Sequence, residues 1–572
     1  MRLLLNLDSD RKLACGQSLD SKDQMDSFRK SMVLAFWLAL VALSSGLMGA
    51  SASLADHQPD PAHSHASSNR MCAEWEPALG TLIRWPLGIP SQLVTELAED
   101  DSLYVLVENQ SEQNQAVSTF QSWGVNTENC RFIRAATYSH WTRDWGPHSV
   151  FDRNGDMMIM DPLFDGYPWV PGGKSFRTVS NASRGWEEDD LVNGVLASEL
   201  SCSLLTLPAY LTGGNIMVDG MGTAFSTQQM IDENAPLWSE SEFLGLLEDY
   251  AGLNSYHILS NTENHGIQHI DCAAKLLNEQ TVLIQELPSW HPEKWRMDRL
   301  VSEFESITNC YGDPYKIVRV YCAPYDGNAT AAYTNSLILN DKVLVPTFGV
   351  SSDSLALETY RQALPGYEVI SFYYSSWYYY DALHCRTMAI FDRHMLRLIH
   401  CPLDSAIDSG DGFRITASID DRSEAGLVPD RLQVKWRQPS ESSWDSITLS
   451  PVAVDSFEAV IPSCCAGTGL EYYIQAADSS GRFEVRPRGA PTAFYTLEIL
   501  PGPVVCGDVD DSGSGPDIAD LVYLVTYMFD GGPAPAEFAA CDVDGNSTAP
   551  DIADLVYLVS YMFQEGPDLA CP

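Results

Sequence analysis

Five short stretches hold the residue types used in acid–base and nucleophilic chemistry. They are Trp141-Thr142-Arg143-Asp144-Trp145-Gly146-Pro147, Gly213-Gly214-Asn215, His269-Ile270-Asp271-Cys272, Tyr333-Thr334-Asn335-Ser336 and Ala382-Leu383-His384-Cys385-Arg386-Thr387. Together they offer thiols, imidazoles and carboxylates, from which nucleophiles and general acids and bases are drawn. Each alone has a plainer reading. A His-x-Asp is often structural, a single cysteine packs as a small hydrophobe, and Gly-Gly-Asn says only that the chain turns tightly. A second chemistry is written near the C-terminus, where Asp508, Asp510 and Ser512, then Asp542, Asp544 and Asn546, present alternating oxygen donors. Asp517 and Asp520 close the first of these loops, Asp551 and Asp554 the second. Calcium takes about six to eight oxygens and is suited by a loop of this kind.

The elements that must position these groups differ along the chain. From Met71 to about Cys401, apolar strand-like runs such as Leu103–Val107, Val282–Ile284, Leu337–Leu339 and Val343–Val345 alternate with helical stretches, predicting a mixed α/β domain. From Asp404 to Leu500 the period becomes two. Phe413, Ile415, Ala417 and Ile419 share a face, as do Leu432, Val434 and Trp436, then Tyr472, Ile474 and Ala476, which predicts a β-sandwich. After Pro501-Gly502-Pro503, the segment Asp517–Val525 recurs as Asp551–Val559, 34 residues later. Ile518, Leu521, Val522, Val525 and Phe529 fall at helical spacing, so each copy reads as a loop followed by an amphipathic helix. Two such copies point to two bound Ca2+ ions. The expected organisation is a leader over 1–52, a linker over 53–70, a catalytic domain over 71–402, a sandwich over 403–500, a linker over 501–505 and the repeat pair over 506–572.

Phe28-Arg29-Lys30, the apolar run Met32–Leu43 and the small residues ending in Ala50-Ser51-Ala52 form the n-region, h-region and cleavage signal of an export leader. An uncleaved anchor and a start at Met25 are alternatives at this point. A secreted or cell-surface protein is expected. The net charge of -43, from 77 acidic against 34 basic residues, repels nucleic acid and anionic lipid. It also suits cationic ligands, although solubility alone accounts for it. Of 14 cysteines, Cys15 precedes the cleavage signal, which leaves an odd number and at least one unpaired thiol per monomer.

In this order, the five stretches resemble the guanidine-modifying (pentein) superfamily, specifically the Porphyromonas-type peptidylarginine deiminase and agmatine deiminase family. The resemblance spans Met71 to Arg393 and includes Leu82-Ile83-Arg84-Trp85-Pro86. The Leu-His-Cys-Arg-Thr form around Cys385 is similar to the peptidylarginine branch, which also carries an immunoglobulin-like domain after the catalytic one. The resemblance implies a five-bladed α/β propeller around a central pocket. It further implies that Asp144 and Asp271 clamp a guanidinium fork, that Cys385 attacks its central carbon, and that Asn335 orients nucleophile or intermediate. His269 would serve as acid and base, with Trp141 stacking on the substrate. Positive charge from substrate or from His269 would activate the thiol. No cofactor is needed for this chemistry. His384 is read as structural, because neighbours on a strand point to opposite faces. The tail resembles a type I dockerin, which implies a cohesin-like partner. Its late carboxylates, however, fall at loop positions 10 and 13 rather than 9 and 12.

The substrate is expected to be arginine, peptidyl or free, converted to citrulline and ammonia. Two alternatives stand beside it: agmatine, giving N-carbamoylputrescine, and a non-catalytic guanidinium-binding surface protein displayed through the dockerin-like tail. In the peptidylarginine branch, a basic pair after the first motif grips the substrate carboxylate. Here that neighbourhood reads Asp165-Gly166-Tyr167-Pro168-Trp169, with no arginine until Arg177. The acidic run Glu187–Asp190 could instead favour an amine such as agmatine, although an acidic run is usually just a solvated face.

Overall fold

The computed structural model describes residues 69–168, 186–264, 266–408, 410–463, 469–500, 504–546 and 550–571. The leader, its cleavage signal, Trp169, Arg177, Cys464 and Cys465 lie outside the described residues. Between residues 70 and 391, the described strands form five sheets of three or four strands and one two-stranded ribbon. Each of the five sheets contains the same unit: an antiparallel pair, a helical crossover, then a strand laid parallel to the second. Thus Ala274–Asn278 pairs antiparallel with Thr281–Glu286, the helix Lys294–Glu305 crosses over, and Lys316–Tyr321 returns parallel. Leu337–Leu339, Lys342–Thr347, the helix Asp353–Ala363 and Glu368–Tyr373 repeat the pattern. The last of these strands in the chain, Met388–Phe391, pairs antiparallel with Ala78–Arg84 and so joins the first sheet.

Local chemistry explains the element ends. The Asn109 side chain accepts from the backbone N–H groups of Ser111 and Glu112 and starts the helix Gln110–Trp123, which stops at Gly124 with φ 78°. Ser239 and Glu242 form a reciprocal cap on the helix Glu240–Ala251. The middle strands are buried on both faces: Val282, Leu283, Ile284, Val343, Leu344 and Val345 are all inaccessible to solvent. Strands covered on both sides read as unbroken apolar runs, which is why these segments are visible in the sequence.

From Leu396 to Leu500 the described residues form strands, with one 3-10 turn at Pro429–Arg431. One sheet orders Leu396–Ile399, Phe413–Asp421, Ser456–Ile461 and Ser450–Ala453. The other is built around Leu470–Ala477, flanked by Gln433–Arg437, Tyr495–Leu500 and Phe483–Arg486. Phe413, Ile415, Ala417, Ile419, Val434, Tyr472, Ile474 and Ala476 fill the space between them. This sheet pair includes Leu396 and Leu398, ahead of the change expected at residue 403, because both side chains pack into its core. At the other end, Arg70 already pairs with Phe151, so the linker assigned to 53–70 ends inside a strand. The tail carries the helices Ile518–Asp530 and Ile552–Phe563, and a disulfide joins Cys506 to Cys571. Among the described residues, no helix is long and apolar enough to cross a membrane.

Truncating Leu398 to alanine is expected to destabilise the all-β unit by about 2–5 kcal/mol. Denaturant unfolding of the full chain measures it, and a change under about 1 kcal/mol would show that Leu398 lies outside that core.

Candidate active site

The five chemical stretches occupy equivalent places. Each is a short turn entering the first strand of an antiparallel pair: Thr142–Trp145 before His148–Phe151, Gly213–Asn215 before Met217–Val218, and Ile270–Cys272 before Ala274–Asn278. Thr334-Asn335-Ser336 precedes Leu337–Leu339, and His384–Arg386 precedes Met388–Phe391. Cys385, His269, Asp144, Asp271 and Asn335 are thereby brought together, and all five are buried.

Asn335 governs the cysteine turn. Its Oδ1 accepts from the backbone N–H of His384 at 2.9 Å and of Cys385 at 3.3 Å, while its Nδ2 donates to Cys385 Sγ at 3.2 Å. Cys385 Sγ lies 3.9 Å from Asp271 Oδ2. His269 Nδ1 stands 3.5 Å from Asp144 Oδ1, and among the described residues neither nitrogen of that ring has a hydrogen-bond partner. Asp144 is held by the backbone N–H of Gly214 on Oδ1 at 3.1 Å and by the hydroxyl of Tyr167 on Oδ2. A Cβ on Gly214 would meet Asp144 Oδ1 at 2.6 Å and His269 Nδ1 at 2.7 Å, so only glycine lets the backbone come this close. Asn215 Oδ1 accepts from the backbone N–H of Ile270 at 3.1 Å, tying this turn to the His-x-Asp turn.

Burial dominates the electrostatics. It pulls His269 down to about 4, leaving the imidazole neutral near pH 7. Burial, then the charge of Asp271, drives the Asp144 carboxyl well above the usual range. Burial would raise Asp271 as well, but the hydrogen bond and charge of His384, helped by His269 and Arg143, hold it below that range. A hydrogen bond from Cys272 draws the Cys385 thiol down. Burial and the charges of Asp271 and Asp144 outweigh it and push the thiol up to about 11. In the empty pocket burial therefore disfavours a charged His269, which weighs against one of the two activation routes expected from the sequence and toward the substrate as the cation.

Other expectations also change. His384 lies on a 3-10 turn rather than a strand, and its Nδ1 is 2.8 Å from Asp271 Oδ2, so it belongs to this cluster. Glu187–Asp190 is only in part a solvated face, since Glu187 is exposed while the next residues turn inward. Asp189 is inaccessible and accepts from the backbone of Tyr138 and the backbone and hydroxyl of Ser139, and Asp190 accepts from the Phe164 backbone. Trp141 is half-buried, stacked on Trp186 and edge-on to Tyr167. Tyr167, Gly214, Asn215 and Cys272 join the site without a role legible in the sequence. Their residue types carry no signal of their own; only the equivalence of the five turns could point to the glycine and asparagine.

In the tail, carboxylate oxygens of Asp508, Asp510 and Asp520 converge within 4.8 Å of one another, as do those of Asp542, Asp544 and Asp554. These hard oxygen donors fit Ca2+. Asp517 and Asp551 are not part of the clusters. Each caps its helix instead, accepting from the backbone N–H of Ala519 and Ala553 respectively at 2.6 Å. The Ser512 hydroxyl donates to Asp508 Oδ1 at 3.3 Å and Asn546 Nδ2 to Asp544 Oδ2 at 3.0 Å, so both stay beside their loops.

The chain is similar to several known deiminases. The agmatine deiminase of Pseudomonas aeruginosa is 25% identical over 352 residues, covering 53% of this chain and 90% of the relative. That of Ectopseudomonas mendocina is 23% identical over 348 residues, with the same coverage. The solved agmatine deiminase of Enterococcus faecalis matches in fold with a TM-score of 0.50 at 19% identity, covering 57% of this chain and 96% of that one. A family model of Porphyromonas-type peptidyl-arginine deiminases matches residues 70–390, more than half of the sequence. The chain belongs to the Porphyromonas-type peptidyl-arginine deiminase family, hydrolases of amidine C–N bonds.

Proposed function

We propose that the chain is an exported deiminase that hydrolyses the guanidinium of peptidyl or free arginine to a ureido group and ammonia. The observation that carries this reading is the placement of one buried thiol 3.9 Å from one carboxylate of a pair, with an imidazole beside the other that has no hydrogen-bond partner among the described residues. Asp144 and Asp271 grip the planar fork and hold its carbon over Cys385. Entry of the cation favours the thiolate, and His269 takes the proton that leaves sulfur. The thiolate adds to the carbon, and His269 returns that proton to the departing nitrogen, releasing ammonia and leaving a covalent thiouronium. His269 then takes a proton from water as the hydroxide adds. The C–S bond breaks as the adduct's hydroxyl proton passes to Asp144 and His269 gives its proton to sulfur, yielding the ureido product and restoring the thiol. Asn335 steadies the sulfur, and Trp141 borders the substrate path. No cofactor takes part. The five similar sheets support the five-bladed propeller reading.

A second reading, agmatine as substrate, is favoured by one observation. Glu233 and the buried Asp165 lie near enough to Asp144 for their charges to act on one another, a setting that suits a substrate with a second cation. The leader and the all-β domain favour the arginine reading. In the tail we propose two Ca2+ ions, one held by Asp508, Asp510 and Asp520 and one by Asp542, Asp544 and Asp554. The exposed Ile518, Val522 and Phe529, repeated as Ile552, Val556 and Phe563, support a dockerin-like module that engages a cohesin-like partner.

Ureido-product assays on agmatine, arginine, and peptides with internal or terminal arginine identify the substrate. Cys385→Ser is expected to lower turnover by on the order of 10³-fold. Equal turnover by the variant would remove the mechanism, and no product from any guanidine would leave only a binding protein. Alkylation of Cys385 in the empty pocket should rise about tenfold per pH unit from pH 7 to 9, since the thiolate fraction grows with pH below a value near 11. A plateau beginning near pH 7 would contradict it. Adding Ca2+ to chelator-stripped chain should raise the unfolding temperature of the tail, and Asp520→Ala with Asp554→Ala should abolish the rise. Tail helicity indifferent to chelator would end the calcium proposal.

A further inference from the structure

Behind Asp271 lies a buried chain of charges that takes no part in the steps above. His384 Nδ1 is 2.8 Å from Asp271 Oδ2, and His384 Nε2 is 2.7 Å from Glu74 Oε2. Lys275 Nζ stands 2.7 Å from Glu74 Oε1, and the backbone N–H of Ile338 donates to that same oxygen at 2.8 Å. A neutral imidazole has one donor and one acceptor nitrogen, and a carboxylate only accepts. A ring with a carboxylate at each end therefore satisfies both only when both nitrogens carry hydrogen. The sequence of groups is then carboxylate, imidazolium, carboxylate, ammonium. The residues come from separate places: Glu74 from the loop before Ala78–Arg84, Lys275 from Ala274–Asn278, His384 from the cysteine turn.

We propose that His384, braced by Glu74 and Lys275, is a positioning residue that fixes the Asp271 carboxylate for the incoming guanidinium. The inference rests on the deiminase reading given above. The oxygen of Asp271 that His384 holds, Oδ2, is also the one 3.9 Å from Cys385 Sγ. Its other oxygen, Oδ1, is 3.5 Å from Cys272 Sγ, so the bond to His384 sets the rotation of the whole carboxylate. On the pocket side Asp271 faces Asp144, His269, Cys272 and Cys385, and from behind Arg143, Lys275 and His384. Within this set, His384 alone both touches the carboxylate and carries compensating charge from deeper in the protein. Without it, Asp271 keeps its burial and loses its main support, so it ionises at higher pH.

The test measures kcat and KM against pH, using whichever of agmatine, arginine or an arginine peptide the wild-type chain hydrolyses. His384→Ala is expected to lower kcat/KM by on the order of 10²-fold and to move its acid limb up by about one pH unit or more. His384→Asn, which keeps an amide donor toward Asp271, should recover to within about tenfold of wild type. Glu74→Gln should move the acid limb in the same direction by a smaller amount. Variants that stay folded, lose activity and leave the acid limb in place would overturn the relay. If His384→Ala fails to fold, His384→Asn and Glu74→Gln decide on the same readouts. A wild-type chain that hydrolyses no guanidine overturns the deiminase reading and the relay together. A wild-type chain that does, with unmoved profiles in the variants, overturns the relay alone.

Discussion

The pocket depends on one constraint: two carboxylates, a thiol and an imidazole are all taken out of water at one point. Burial opposes charge on every one of them, and neighbouring carboxylates oppose charge on each other. The protein resolves this unevenly. Asp271 is given a cationic support and stays ionised, whereas Asp144 has a phenol hydroxyl and one backbone N–H and is driven toward the neutral acid. His269 loses its proton and Cys385 keeps its own. A site so arranged is chemically quiet and turns a single ionised carboxylate toward the thiol. A planar cation answers that charge better than any neutral molecule.

The backbone makes this crowding feasible. Each chemical residue sits on a turn at the head of an antiparallel pair, so five separate sheets deliver short, rigid segments to the same place. Their bond donors and acceptors are then spent on one another. Asn215 receives the backbone of the His-x-Asp turn, Asn335 receives that of the cysteine turn, and Gly214 leaves room for both carboxylates. Residues far apart in the chain are placed by contacts between turns rather than by any one element.

Much of this is legible in the amino-acid sequence. The apolar runs mark the central strands because those strands are covered on both faces, and period-two alternation marks the sandwich because its strands have one wet face. The grouping of Asp144, His269, Asp271, Asn335 and Cys385 is implied by the resemblance of their motifs to the deiminase family rather than by any one motif, and all five are buried in the structure. What stays hidden is relational. His384 reads as a neighbour facing away, because a turn of 3-10 geometry, unlike a strand, does not alternate its side chains. Asp189 reads as solvated because an acidic run gives no hint that one member caps a buried loop. In the tail, the alternating donors mark where the two acidic clusters form. Asp517 and Asp551 cap helices instead, a role that carboxylates at a helix start fill as readily as metal binding.

The uneven pair has a further consequence for what enters and leaves. Burial and the charge of Asp271 bias Asp144 toward its neutral acid, so a guanidinium bound there would swap one positive charge for another and leave the charge of the interior unchanged. Uptake of such a ligand would then be coupled to release of hydrogen ion into the medium, with affinity weakening in acid even though the ligand itself does not titrate there. Hydrolysis of a guanidinium to a neutral ureido group and neutral ammonia also sets free one proton, so the vacated carboxyl would be refilled by the reaction itself.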